Sequence, residues 1–306
     1  MPTVSIEKVE FAGWPNCYRI TNGDIELIAT SDVGPRIIRC GFVGEDNLLA
    51  VFKDQAGKSG EPYWMIRGGH RLWIAPETIP DTYTPDNSPL EVTVGHGTLT
   101  LRESREAETG LRKQVAIKMS PNGDITVAHQ IENAGPKPRR FAPWALTVMA
   151  PGGIAIAPFP PRGSHDEFLL PTNPLVMWAY TDFSDPRWRF TKKYLTLTCD
   201  PKMPLPQKAG LFNPQTCCAY LLGSYLFAKR ITALADAPYP DFHCSMELFT
   251  NHEFLELETL GPLAEVTPDS AIGHIEHWSL RRNVKLNAID DTEIDRILLP
   301  LTANPT

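Results

Sequence analysis

Short runs of alternating or wholly apolar residues recur along this chain, each closed by Gly, Pro, Asn or Asp, and nothing else limits its fold as much. The clearest cover residues 24–30, 36–42, 47–52, 90–94, 98–101, 111–119, 124–132, 142–149, 194–199, 217–231, 245–250, 254–260 and 274–280. Side chains on a strand alternate between faces, so such runs read as strands with one buried side. Many of them at close spacing predict an all-β sandwich or barrel. Asn22-Gly23 and Asn122-Gly123 supply two-residue hairpin turns. The one clear helix is expected near residues 290–299, capped by Asp290 or Asp291, with Glu293 early and Pro300 as its stop. The proline-rich stretch over 150–174 reads as a long loop inside one domain spanning 1–306, whose core runs from about 15 to 282.

Composition narrows the function classes. A net charge of −7 over 306 residues argues against a nucleic-acid surface. No apolar stretch approaches the roughly 20 residues of a membrane helix, and the first residues lack the basic start and apolar run of a signal peptide, so no membrane partner and a cytoplasmic location are expected. Six cysteines without C-x-x-C spacing are expected as buried free thiols rather than a metal ribbon. Neither G-x-G-x-x-G nor a P-loop is present, so no nucleotide cofactor is implied; G-x-S-x-G is also absent. Nothing in the sequence fixes the oligomeric state.

Two blocks carry chemistry. In the strand ending at Gly261-Pro262, Phe254, Glu256 and Glu258 share one face and Leu255 and Leu257 the other. Carboxylates side by side repel, which points to cationic partners or a polar pocket. The second block, residues 63–77, gathers Trp64, Arg67, His70, Arg71 and Trp73 around Gly68-Gly69, a pair that permits close backbone approach. Aromatic faces and planar cations are the groups a carbohydrate site uses; the same residues also serve as core plugs and surface ion pairs, and both readings stand.

Arg36, Arg67 and Arg71 are expected to grip hydroxyls or an anionic substituent, whereas Arg39 points the other way as an exposed strand residue. Lys229, Asp241 and Glu247 are expected to line the same cleft, with surface pairing as the alternative. His274 and Glu276 face away from His277, so these three read as edge-strand residues and no metal is expected; His129 reads as an ordinary strand residue.

The order Gly34-Pro-Arg36-Ile-Ile, Arg67-Gly-Gly-His70-Arg-Leu-Trp, Pro143-Trp144-Ala-Leu-Thr, Met246-Glu247-Leu-Phe-Thr-Asn251 and Leu255-Glu256-Leu-Glu258-Thr-Leu-Gly-Pro resembles the galactose mutarotase-like superfamily, closest to its DUF4380-type branch. That resemblance, over about residues 18–280, implies a β-supersandwich with a sugar cleft on one sheet. It implies Glu258 as general base and His70 as acid in the interconversion of sugar anomers, with Arg36, Arg67, Arg71, Trp73, Trp144, Lys229, Asp241, Glu247 and Glu256 around the ring. Where mutarotases carry a second, mid-chain histidine, this chain has the Trp144 block. A non-catalytic sugar-binding protein is therefore an alternative. A lyase or hydrolase acting on a glycoside or uronate, with Tyr63, Tyr83 or Tyr180 assisting, is another.

Overall fold

A computed structural model describes residues 3–215 and 217–302. The strands are, in chain order, Ser5–Phe11 (β1), Trp14–Thr21 (β2), Ile25–Thr30 (β3), Arg36–Phe42 (β4), Gly69–Ala75 (β5), Glu91–Gly95 (β6) and Thr98–Arg102 (β7). Next come Leu111–Met119 (β8), Ile125–Asn133 (β9), Arg139–Met149 (β10), Ile154–Pro158 (β11), Leu175–Met177 (β12), Trp188–Phe190 (β13) and Tyr194–Thr198 (β14). Last are Gln207–Leu211 (β15), Cys217–Leu222 (β16), Tyr225–Arg230 (β17), Met246–Thr250 (β18), Leu255–Leu260 (β19), Ala264–Val266 (β20) and Ser270–Arg281 (β21).

They pair antiparallel in two sheets. The first runs β1-β2-β3-β4-β5-β10-β19-β18-β15-β12, with β20 beside β10; the second runs β13-β14-β11-β16-β17-β21-β9-β8-β7-β6. Alternation along β8 and β9 is strict, buried at every second residue, as the period-two reading requires. A hairpin turn forms at this point but one residue further on: Asn22 N–H donates to the Ile25 carbonyl, leaving Gly23, with a left-handed φ of 91°, and Asp24 at the tip, while the Asn22 side-chain oxygen accepts the Asp24 and Ile25 N–H groups.

The main apolar core lies between the sheets, with Leu27, Leu72, Ile117, Val127, Leu248, Leu257 and Phe227 among its members. A helix, Asp291–Thr302, covers the outer face of the second sheet by laying Ile294, Ile297, Leu298 and Leu301 on Ala219, Leu226 and Ala228. Asp290 caps it, accepting the Glu293 N–H at 2.9 Å. Pro300 does not stop the helix. It sits in the last turn, where its ring removes a single hydrogen bond and the chain continues to Thr302. Residues 47–52, expected as a strand, make only two isolated bridges, and β15 forms where no strand was expected. All six cysteines are free and buried. Among the described residues no helix is long and apolar enough to cross a membrane.

Candidate functional site

The outer face of the first sheet carries one row of paired residues across five strands. Arg71 on β5 lies opposite Leu146 on β10, Leu146 opposite Glu258 on β19, Glu258 opposite Glu247 on β18, and Glu247 opposite Gly210 on β15. Directly opposed residues share a face. Two residues along the strands, Trp73 pairs with Trp144 on the same face. Lys208 and Glu256 complete the set, and Trp64, Tyr83 and Trp178 enter from loops.

Glu258 is fully buried. Its Oε2 accepts from Trp144 Nε1 at 2.8 Å and from Lys208 Nζ at 3.0 Å, while Oε1 has no partner. The Lys208 ammonium also stands 2.8 Å from Glu247 and is sandwiched between the Trp144 and Trp178 rings, 4.7 Å from each centroid. Because both carboxylates touch one nitrogen, they are within reach of one small ligand. Burial would lower the Lys208 pKa, but Glu247 and then Glu258 carry it well above the ordinary value. Glu247 moves the other way: burial raises its proton affinity well above that of a free carboxyl, against the pull of Lys208 and with help from Glu258 and Asp241. Arg71 pairs with Glu256 at 2.8 Å and lies over Trp73 at 4.3 Å. Arg71 Nε, Trp64 Nε1 and Glu247 Oε1 are buried without a hydrogen-bond or ion-pair partner. Native proteins rarely leave so many such atoms in one place, and a polyhydroxy ligand would satisfy donors and acceptors together.

Gly210 is required here. A Cβ at this position would lie 2.5 Å from Cys244 Sγ and close to Glu247 and Trp178. At the rim, Asp241, Phe242 and His243 take left-handed φ values of 50°, 56° and 77° in succession. Non-glycine residues adopt this region at a cost of order 1–3 kcal/mol each, and such outliers gather at functional sites. His243 is held there by stacking on Phe212, 4.4 Å between ring centroids.

Several residues expected beside Glu258 are elsewhere. His70 does not converge with Glu258. It pairs with Thr147, one residue past Leu146, so its side chain points through the opposite face into the space between the sheets. Lys229, on β17 of the second sheet, enters that same interior space rather than the cleft. Arg36 lies on the same outer face beside Arg71, but it is buried and committed, binding Asp86 and the carbonyls of Met65, Ile66 and Gly68. Arg67 is buried behind the loop against Glu61, Asn87 and the Lys58 carbonyl. Both arginines brace the 60–68 loop instead of facing a ligand. Arg39 is buried and paired with Glu26 at 2.6 Å, contrary to its expected exposure. Arg71, Trp73, Trp144, Glu247, Glu256 and Glu258 do assemble, and Asp241 sits close enough to Glu247 to act on its charge. Trp64 joins them from the 63–77 block, whereas Lys208 and Trp178 were not foreseen.

The interior group is a closed network. Lys229 Nζ donates to Glu276 at 2.8 Å and to Thr147 Oγ1 and the Ala145 carbonyl, each at 3.1 Å. Thr259 and Trp278 also donate to Glu276, at 2.5 and 2.8 Å. His129 Nδ1 must donate to the His274 carbonyl, so its Nε2 accepts from His70 Nε2 at 2.7 Å, and His70 Nδ1 accepts from Thr147. His274 Nε2 donates to Thr259. Every imidazole in this assignment is neutral. Burial lowers the pKa values of His70, His129 and His274, the last to about 3. Glu276 is held below the carboxylate range: burial opposes ionisation, but the Lys229 ammonium outweighs it.

His70, His129 and Glu276 bring potential metal-binding atoms within 4.8 Å of one another. Two zinc-bound nitrogens with bonds of about 2.0–2.1 Å in a tetrahedron stand roughly 3.3 Å apart, farther than these two, and the Lys229 ammonium already occupies the carboxylate. The geometry is that of a proton-filled network.

These shifts fix the expected dependence of stability on pH. The imidazoles have folded pKa values below 6.5, so the unfolded chain takes up protons that the folded one refuses, and stability is lost as pH falls from there. Glu247, Glu256 and Glu103 have folded values above 4.5, Glu103 at about 8, so between pH 6.5 and 4.5 they gain protons first in the folded state and offset that loss. Below about 4.5 the offset ends and Glu276 adds to the imidazoles. Denaturant melts should therefore give a shallow curve down to about pH 4.5 and a steep fall beneath it, about 1.4 kcal/mol per pH unit for each unmatched proton. A curve flat to pH 3 would contradict the neutral assignment.

No protein-family model and no curated protein sequence matches the chain. Solved structures do match it in fold. The Slr1438 protein of Synechocystis superposes with a TM-score of 0.58 at 14% identity, covering 90% of this chain and 99% of the other. A galactose mutarotase-like protein of Lactobacillus casei gives 0.56 at 11%, covering 87% and 100%. One from Clostridium acetobutylicum gives 0.53 at 9%, covering 91% and 99%. The fold is thus the galactose mutarotase-like sandwich, as the strand pattern and motif order led one to expect.

Proposed function

We propose that the cleft binds a neutral sugar and interconverts its anomers, with Glu258 as general base and Glu247 as the proton donor. What supports this reading above all is the row Arg71–Leu146–Glu258–Glu247, which sets two buried carboxylates around one ammonium beneath a wall of tryptophans. Burial raises the proton affinity of Glu247 well above that of a free carboxyl, as a proton donor requires. Glu258 Oε1 takes the proton of the anomeric hydroxyl while Glu247 gives one to the ring oxygen; the bond from C1 to the ring oxygen breaks and the carbonyl forms. Rotation and closure on the other face return both protons. Trp73, Trp144 and Trp178 supply faces for the apolar side of the ring. In this reading the order of motifs puts the chain nearest the DUF4380-type branch.

Arg71 is paired with Glu256 and Lys208 with Glu258, so among the described residues of the cleft no cation is left unpaired for an anionic substituent. Neutral aldoses should accordingly bind at least tenfold more tightly than the corresponding uronates or sugar phosphates, measured by calorimetry; the reverse order would remove the charge argument. Anomer exchange followed by magnetisation transfer over a panel of aldoses tests the reaction itself. Tight binding without exchange would select the non-catalytic reading, which the tryptophan at the mid-chain histidine position favours. An unsaturated product absorbing in the ultraviolet would select a lyase, with Tyr180, whose proton is held up to about 12 by burial, close to Glu258.

A further inference from the structure

The interior network lies directly beneath the cleft. The row on which Arg71, Leu146 and Glu258 lie is bracketed from below by its two neighbouring rows. On one side are His70 and Thr147, paired with each other; on the other are Ala145 and Thr259, also paired. Each of these four bonds into the network: His70 to Thr147 and His129, Thr147 and the Ala145 carbonyl to Lys229, Thr259 to Glu276 and His274. Lys229, Glu276, His129 and His274 all belong to the second sheet. Three adjacent strands of the first sheet are therefore tied to a fixed frame at the positions that flank the cleft row.

From this juxtaposition we propose that Thr147 and Thr259, held by Lys229 and Glu276, are positioning residues that set where Arg71 and Glu258 stand in the cleft. The two faces of a strand share one backbone, so Thr259 cannot shift without moving Glu258, nor His70 without Arg71. A displacement of about 1 Å in a reacting group costs on the order of 10²-fold in rate, whereas general packing tolerates it. Polar contacts with defined geometry fix position more narrowly than apolar ones, which is the use this network makes of an otherwise costly interior. The proposal rests on the acid/base reading of the cleft.

The test uses Thr147→Val and Thr259→Val, which each delete one hydroxyl with little change of shape, and Thr196→Val as control, a buried threonine of β14 whose hydroxyl has no partner. The first readout is the indole N–H resonance of Trp144, assigned by its loss in Trp144→Phe; it reports the 2.8 Å bond to Glu258 and needs no sugar. The second is the split between kcat and KM for anomer exchange. The expected result is a moved Trp144 resonance and a tenfold or larger fall in kcat at nearly constant KM for both variants, reversal in Thr259→Ser, and no change in Thr196→Val. An unmoved resonance, with thermal stability lowered, would overturn the proposal and leave the network a purely structural one. Stabilisation of the parent protein by micromolar zinc that disappears in His129→Ala would also overturn it, by showing a metal where protons are assigned. If the parent protein turns over no sugar, the functional reading falls, and the Trp144 resonance still decides whether the network sets the place of Glu258.

Discussion

Glu258→Gln is expected to lower the rate of anomer exchange by about 10²- to 10⁴-fold, the usual contribution of a positioned proton-transfer group, while leaving sugar affinity within a few-fold. The amide oxygen of glutamine can still accept from Trp144 and Lys208, which holds the side chain in place. What it cannot do is take a proton at the position of the unpartnered Oε1. Glu247→Gln should differ in kind. It removes the donor, so the alkaline limb of the pH–rate profile, where the acid would otherwise be lost, should flatten along with a fall in kcat. Exchange in Glu258→Gln within tenfold of the parent protein would exclude it as the base. Equal pH profiles for the Glu247 variant and the parent would exclude Glu247 as the acid.

Lys229→Met should destabilise the fold by about 3–5 kcal/mol, because it leaves the Glu276 carboxylate buried with its charge uncompensated. Two further acceptors, the Ala145 carbonyl and Thr147, lose a donor in the same substitution. Adding Glu276→Leu to Lys229→Met should recover much of that loss, since removing both partners of a buried pair is far less costly than removing one. Urea unfolding of the two single variants and the double variant measures the coupling. A single-variant cost below about 1 kcal/mol would mean that water reaches the pair and that the interior is not closed.

The sandwich was readable because its strands are patterned at period two and its turns carry Asn-Gly; those signals are local. The face of Glu258 was readable for the same reason, as Leu255 and Leu257 had to go inward. His70 was misplaced because the Gly68-Gly69 pair looks like a loop, whereas Gly69 is the first residue of β5 and starts the alternation that sends His70 inward and Arg71 outward. That Leu146 sits opposite both Arg71 and Glu258 depends on pairings between segments far apart in the chain, and no local pattern records them. Lys208 was missed although a signal existed: a lone lysine before Ala-Gly-Leu in an otherwise buried strand must find an anion. The arginines show the reverse limit. Nothing in residue type tells that Arg36 and Arg67 would spend their donors on nearby carbonyls and acids. His129 was read as an ordinary strand residue, and His274 and Glu276 as edge-strand residues; β21 instead lies inside its sheet between β17 and β9 with both buried, and the partners across the sandwich that give them a role are recorded in no local pattern.

The succession of left-handed residues at Asp241, Phe242 and His243 has a practical bearing on attempts to toughen this protein. Glycine replacements there would relax the main chain and are natural picks for raising its heat tolerance. They would also unfasten the segment whose acid tunes Glu247, so a hardier descendant altered at this corner should be screened for turnover before it is kept.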